Sequence, residues 1–253
     1  MGTRKAANGG VRPRGQSQTP PRTLPKVAMS RGKDEPLGDF AYRILRAAIR
    51  AGKIMPNEHL REAEVAQWLH ISRTPVREAF HRLITESLLT NGPWNGVMVA
   101  DLDVQQLTEL YAVRESLEGT AAALAARHAT ESEVKTMEKL VALEAAERRH
   151  PEKCIVVNRD LHQAIYQAAH NRYLLQSLNS IVDALGLLHH STFVLPGSIE
   201  QAHREHIELI VAIREKKSAR AERLAREHVR HALELRLQLN RNSRKRQQSN
   251  IAR

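Results

Sequence analysis

The chain of 253 residues holds a single cysteine, Cys154. One thiol excludes an internal disulfide and fits a reducing compartment. No apolar run approaches the roughly 20 residues of a membrane-spanning helix, so no membrane partner is expected. The N-terminus is basic but no apolar stretch follows it, so it does not read as a secretory leader. A cytoplasmic location is the expectation. Aromatic residues are scarce at 4%, although apolar residues reach 42%. The apolar mass is therefore Leu, Ala, Ile and Val, enough for a core and suited to helix packing. Acidic residues number 28 against 39 Lys and Arg, a net +11. That excess is localised: residues 1–35 carry +6, residues 241–253 carry +5, and 36–240 are neutral overall. The high charge therefore does not by itself mark the folded part as a nucleic-acid binder. The two basic tails either add salt-sensitive attraction to phosphate or only keep the chain soluble.

Residues 1–35 are rich in Gly, Pro, Ser, Thr, Gln and Arg without periodicity, and disorder is expected there. A helical stripe then runs through Phe40, Ile44, Leu45 and Ala48 and stops at Gly52. IMPNEHL reads as a turn, and a second short helix over about 62–69 turns Val65, Ala66 and Leu69 inward. In SRTPVREAFHRL, Ser72 stands where an N-cap belongs and Pro75 near the first turn. The helix predicted from Arg73 to about Ser87 buries Val76, Ala79, Phe80 and Leu83. Two short apolar runs, Leu88–Thr90 and Val97–Val99, flank a Gly-rich tip that includes Asn95 and Gly96, which predicts a β-hairpin. Three short helices and a hairpin over 36–101 describe a winged helix-turn-helix, whose third helix would enter a major groove. The N-terminal end of that helix offers free N–H groups and positive dipole charge. Arg73 and Thr74 lie at this tip, and Arg77 lies one turn on. An arginine can grip guanine O6 and N7, or a phosphate. The competing reading is a plain surface helix with Arg–Glu pairs such as Glu78 with Arg82.

From 102 to 240 apolar residues recur at 3–4 spacing, as in Leu107, Leu110, Val113, Leu117, Ala121 and Leu124. Further helices are predicted over about 131–148, 152–170, 172–191, 199–215 and 218–240. The expected fold is mainly α: an N-terminal winged helix-turn-helix followed by an all-α helical bundle.

The segment GKIMPNEHLREAEVAQWLHISRTPVREAFHRLITESLLTNGPWNGVMV resembles the DNA-binding domain of the GntR family of bacterial transcription regulators, and SRTPVREA is its most specific piece. LYAVRESLEGTAAALAA, NRDLHQAIYQAAHNRYL, EHIELIVAI and AREHVRHA are similar to the all-helical effector domain (FCD type) of the FadR-like branch. The resemblance covers about 36–240. It implies a homodimer that binds a pseudo-palindromic double-stranded DNA operator and is switched by a small metabolite, often a carboxylate. The candidate DNA-contacting residues are Arg61, Ser72, Arg73, Thr74, Arg77, Asn95 and Gly96, with Arg61 or a tail residue as the stand-in for a phosphate contact that the family makes from its second helix. Two positions depart from the family pattern. Ala63 replaces a frequent arginine of the second helix, and Ser87 replaces the usual glycine before the hairpin.

Ten of the 13 histidines lie in 101–240. In the resembled domain a divalent metal is held by an Asp and a His four residues apart, plus two later His. The matching positions are Asn158, His162, His206 and His228. Asn158 offers only a neutral carbonyl oxygen, but three imidazoles can still hold zinc with a fourth position open, and nickel is the other candidate. The alternative is a metal-free polar pocket. His203 and His231 either support the ligand set or lie on another face. Arg114 matches a residue that faces the family's ligand cavity. It could clamp an effector carboxylate, or pair internally with Glu118.

The leading expectation is thus a ligand-responsive dimeric regulator and not an enzyme. A hydrolase built on a three-histidine zinc site is the rival. Against it, Glu205 and Glu227 are expected to point off the ligand face, leaving no general base. A non-specific, nucleoid-type DNA binder acting through the tails is the third reading.

Overall fold

The computed structural model describes residues 24–25, 30–92, 96–188 and 191–251, with side chains up to residue 242. The expected disorder of 1–35 falls largely outside the described residues, as do Pro93, Trp94 and Asn95 at the hairpin tip.

The head begins with α1 (Leu37–Arg50), which buries Phe40, Ala41, Ile44, Leu45, Ala48 and Ile49. Gly52 ends it in the left-handed region at φ 62°, where a residue without Cβ meets no steric cost. α2 (Glu62–Leu69) and α3 (Arg73–Thr85) follow. Between α3 and the hairpin, Ser87 takes φ 58°, so it adopts the left-handed turn that glycine serves in the family pattern. The Leu88 N–H then donates to Leu83 O at 2.9 Å, and Leu88 is buried in the head.

The hairpin strands are β2 (Leu89–Asn91) and β3 (Val97–Val99), paired antiparallel with Leu89 opposite Val99. The first strand thus starts one residue later than the apolar run suggested. The stretch read as a turn also contains a strand, β1 (His59–Leu60), on the other side of β3. It covers what would otherwise be an unpaired edge.

The body is helical: α4 (Val104–His128), α5 (Glu131–Glu147), α6 (Pro151–Ala168), α7 (Arg172–Leu185), a 3-10 turn (Thr192–Val194), α8 (Ser198–Arg214) and α9 (Ser218–Ile251). The starts of α4, α5 and α7 are capped by side chains. Asp103 and Gln106 form a reciprocal capping box at α4, and Thr130 and Glu133 form another at α5. Each box satisfies two N–H groups that a helix start leaves without partners. Ala121, Ala122 and Ala125 of α4 pack against Leu161 and Ile165 of α6, Ile210 and Ile213 of α8, and Ala221 and Ala225 of α9. The small alanines bring these helices close, which is why so few aromatics suffice.

Two boundaries differ from expectation. α7 stops at Leu185, not near 191. α9 continues through the stretch set apart as a basic tail, because 241–251 contains neither Gly nor Pro to break it. No helix among the described residues is long and apolar enough to cross a membrane.

The end of α7 docks on the head. Leu187 is buried in the head's core. Arg46 of α1 donates its Nε–H to Asp183 Oδ2 at 2.9 Å. At Gly186 a Cβ would stand 2.6 Å from Arg50 Cα, so this backbone approach requires glycine.

Candidate functional site

On the head, Ser72, Arg73, Thr74 and Arg77 are all exposed at the start of α3. Pro75 and Val76 turn inward, which fixes that outward face. Ser72 holds the N-cap position with extended backbone, but its side chain makes no capping hydrogen bond. The Glu78–Arg82 pair does not form: Arg82 instead pairs with Asp39 and lies 3.8 Å over the Tyr42 ring. It is Arg77 that has an acidic partner, with Nε and Nη2 donating to the two oxygens of Glu62 at 2.7 and 2.8 Å. This two-pronged hydrogen bond lowers the Glu62 carboxyl from its ordinary value. It also holds an exposed guanidinium extended from α3. Arg61 sits at the N-cap of α2, exposed and 3.5 Å from Glu64. Ala63 is exposed on the same helix. Gly96 closes the hairpin by accepting from Gly92 N–H at 2.9 Å. Asn95 lies outside the described residues.

In the body, α6, α8 and α9 bring His162, His206 and His228 together. One ligand atom from each lies within 4.8 Å of the other two. All three side chains are buried, and His206 is fully so. Behind each ring stands a carboxylate. His162 Nδ1 is 2.9 Å from Glu118, His206 Nδ1 is 3.0 Å from Glu144, and His228 Nδ1 is 2.6 Å from Glu205.

These carboxylates are ionised. Burial pushes Glu118 up, but Arg114 and His162 outweigh it and hold it well below the ordinary value. Burial also opposes ionisation of Glu144, and hydrogen bonds from His206 and His203 reverse it. For Glu205 the same contest, won by His228, ends at about 2. An ionised carboxylate only accepts, so each Nδ1 must donate. In the neutral ring, the lone pair then sits on Nε2. The Nε2 atoms of His162 and His206 are buried without a hydrogen-bond partner. Buried polar atoms left in this way are uncommon. Burial also pulls His206 and His228 below the ordinary imidazole value, which favours the neutral, ligating form. Three imidazoles with outer carboxylates suit a first-row divalent ion, so the residues present fit such an ion.

The cluster opens on a cavity of about 570 Å³ lined by Asn158, His162, His228, Arg114 and Glu205, among others. Asn158 is half-buried one turn before His162. Arg114 Nε donates to Glu118 at 2.6 Å, the internal pairing that one sequence reading expects, and the residue also lines the cavity. Glu205 corrects the expectation that it points away. It faces the cavity and accepts from His228 and from His231, each at 2.6 Å. Glu227 does point off, pairing with Arg223. His203 and His231 both support the cluster, through Glu144 and Glu205 respectively. Sequence reasoning missed Glu144. Its signal was a charged residue seven positions after Met137, on the buried stripe of α5.

Residues 37–99 match the family described as bacterial regulatory proteins, gntR family, and residues 109–231 match the FCD domain. The chain is 30% identical over 166 residues to the HTH-type transcriptional regulator McbR of Escherichia coli K12, spanning 65% of this chain and 74% of that protein. It is 26% identical over 197 residues to the transcriptional repressor RspR of the same organism, spanning 77% of this chain and 86% of that protein. Among solved structures, E. coli McbR/YncC superposes with a TM-score of 0.73 at 23% identity, covering 81% of this chain and 99% of that one. The chain therefore belongs to the GntR family, with the FCD effector domain of the FadR-like branch. It is a DNA-binding transcription regulator and not an enzyme, which removes the hydrolase reading.

Proposed function

We propose that the chain is a ligand-responsive repressor that binds a pseudo-palindromic operator as a dimer. In this reading Arg73, Thr74 and Arg77 meet base edges or phosphates in the major groove. Ser72 and Arg61 contact the backbone, and Asn95 and Gly96 approach it from the wing. His162, His206 and His228 hold one divalent ion, zinc or nickel, with Asn158 beside it. When bound, that ion supplies positive charge and an open position for a small carboxylate effector. Arg114 and the imidazoles orient the effector at the inner end of the cavity. Effector binding shifts the placement of the two heads, so that their recognition helices no longer match half-site spacing.

The observation that carries this reading is the convergence of three imidazoles, each backed by a carboxylate, beside a cavity that His162, His228 and Arg114 line. Elemental analysis of stripped and reloaded protein tests it. One equivalent of zinc or nickel per chain is expected, falling well below one in His206→Ala. Reloaded protein without stoichiometric metal would leave a metal-free polar pocket and refute the metal assignment.

A further inference from the structure

The cavity is not made by the effector domain alone. Its wall includes Arg50, Ala51, Gly52 and Met55, which form the end of α1 and the turn after it. All four belong to the DNA-binding head.

Arg50 is held there by two different hands. Its backbone is pressed against Gly186 at the end of α7, with no room for a Cβ between them. Its side chain is shared. Nη1 lies 3.8 Å from Asp183 Oδ1, close enough to attract but beyond hydrogen-bond reach. Asp183 is buried, and that same Oδ1 has no hydrogen-bond partner, while Oδ2 is held by Arg46. The Arg50–Asp183 contact is therefore incomplete, and the guanidinium stands between a buried carboxylate and the cavity.

The cavity's charge is lopsided. Arg50, Arg114, Arg159 and Arg236 line it, against the single carboxylate of Glu205. Arg114 already answers Glu118, Arg159 pairs with Asp160 at 3.2 Å, and Glu205 answers two histidines, whereas Arg50 is held only loosely, 3.8 Å from Asp183. A compact anion with more than one acidic group can meet the inner end and the head at once.

We propose that Arg50 is an anion-binding residue of the effector cavity, and that a polycarboxylate bound there draws Arg50 away from Asp183 and loosens the docking of the head on α7. This rests on the reading of the cavity as the effector site. It gives the ligand a direct hold on the DNA-binding head. Binding can shift a two-state balance only through a contact that differs between the states, and the Arg50–Asp183 contact is such a difference.

The test is calorimetric titration of full-length, zinc-loaded protein with citrate as the probe. Arg50→Gln should weaken citrate roughly tenfold or more, the loss expected for a hydrogen bond to a charged group. Asp183→Asn removes the competing carboxylate and should tighten citrate, and Arg50→Lys should recover part of the loss. Hydrogen exchange at 183–188 should quicken with citrate in wild type but not in Arg50→Gln. Unfolding midpoints check that each variant folds, and Asp183→Asn decides alone if Arg50→Gln does not. Equal citrate affinity in wild type, Arg50→Gln and Asp183→Asn would overturn the proposal, as would a wild type that binds no citrate. Zinc-stripped wild type separates the two failures. Citrate binding that depends on zinc but not on Arg50 keeps the cavity reading and discards Arg50, whereas binding indifferent to both discards the cavity reading as well.

Discussion

Glu144→Gln should lower metal affinity without touching a ligand. Glu144 is fully buried. Its Oε2 accepts from His203 Nδ1 at 2.9 Å and from His206 Nδ1 at 3.1 Å, and its Oε1 accepts from His206 at 3.0 Å. A glutamine keeps one acceptor and turns the other oxygen into an N–H donor. Whichever way the amide is placed, its NH₂ lies near the Nδ1–H of His206 and two donors meet. His206 relieves the conflict by moving its proton to Nε2, the atom that would face the ion. Loss of such an outer partner typically lowers metal affinity by about 10–100-fold, or about 1.4–2.7 kcal/mol. Competition between the stripped protein and a chelating dye for zinc reads this directly. Glu227→Gln is the control, since Glu227 is half-buried and pairs with Arg223 rather than with a histidine of the cluster. A folded Glu144→Gln that holds zinc as tightly as wild type would refute the reasoning, as would an equal loss in Glu227→Gln.

Arg114→Gln leaves the buried Glu118 with His162 but without its arginine, and should cost about 3 kcal/mol of stability. Urea unfolding within about 0.5 kcal/mol of wild type would show that the pair is not needed. Asp103→Ala removes one half of the capping box on α4 and should cost about 1 kcal/mol, again read by urea unfolding, with a negligible change counting against the cap. Acid should weaken the metal-free protein in two steps. Burial lowers His206 and His228 from 6.5, so the unfolded chain binds more protons just below that value; their contribution is complete above pH 6.5 and declines as pH falls through it. Glu205, at about 2 against an ordinary 4.5, adds a second loss between pH 4.5 and about 2, and unfolding midpoints that do not fall on acidification would contradict both.

The head was readable almost residue by residue because its elements are short and strongly punctuated. Gly52 and the SRTP start leave few choices of boundary, and the apolar stripes of α1 and α3 agree with them. β1 was not readable, since two residues carry no periodicity and the strand exists only because β3 has an edge to cover. In the body, Leu and Ala spacing gave the helices but not their order in space. The three histidines were picked out through resemblance to a family. Their supporting carboxylates were not, because Glu118, Glu144 and Glu205 become meaningful only when separate helices close on them. Glu205 was placed on the wrong side for that reason: adjacency to His206 along one helix says nothing about reach to His228 on the next. The Arg77–Glu62 pair was missed likewise, because it joins residues 15 apart on two different helices.

The most direct test of the central claim is a footprint on DNA flanking the protein's own gene, at about physiological salt, where non-specific binding is weak. Wild type would be run beside Arg77→Ala. The account predicts a protected site with two-fold symmetry that weakens by about 1–3 kcal/mol, with relaxed sequence preference, when Arg77 is removed. A symmetric site that Arg77→Ala protects as well as wild type would contradict the recognition face assigned to α3, and binding without sequence preference that disappears on trimming both basic ends would contradict specific operator recognition itself.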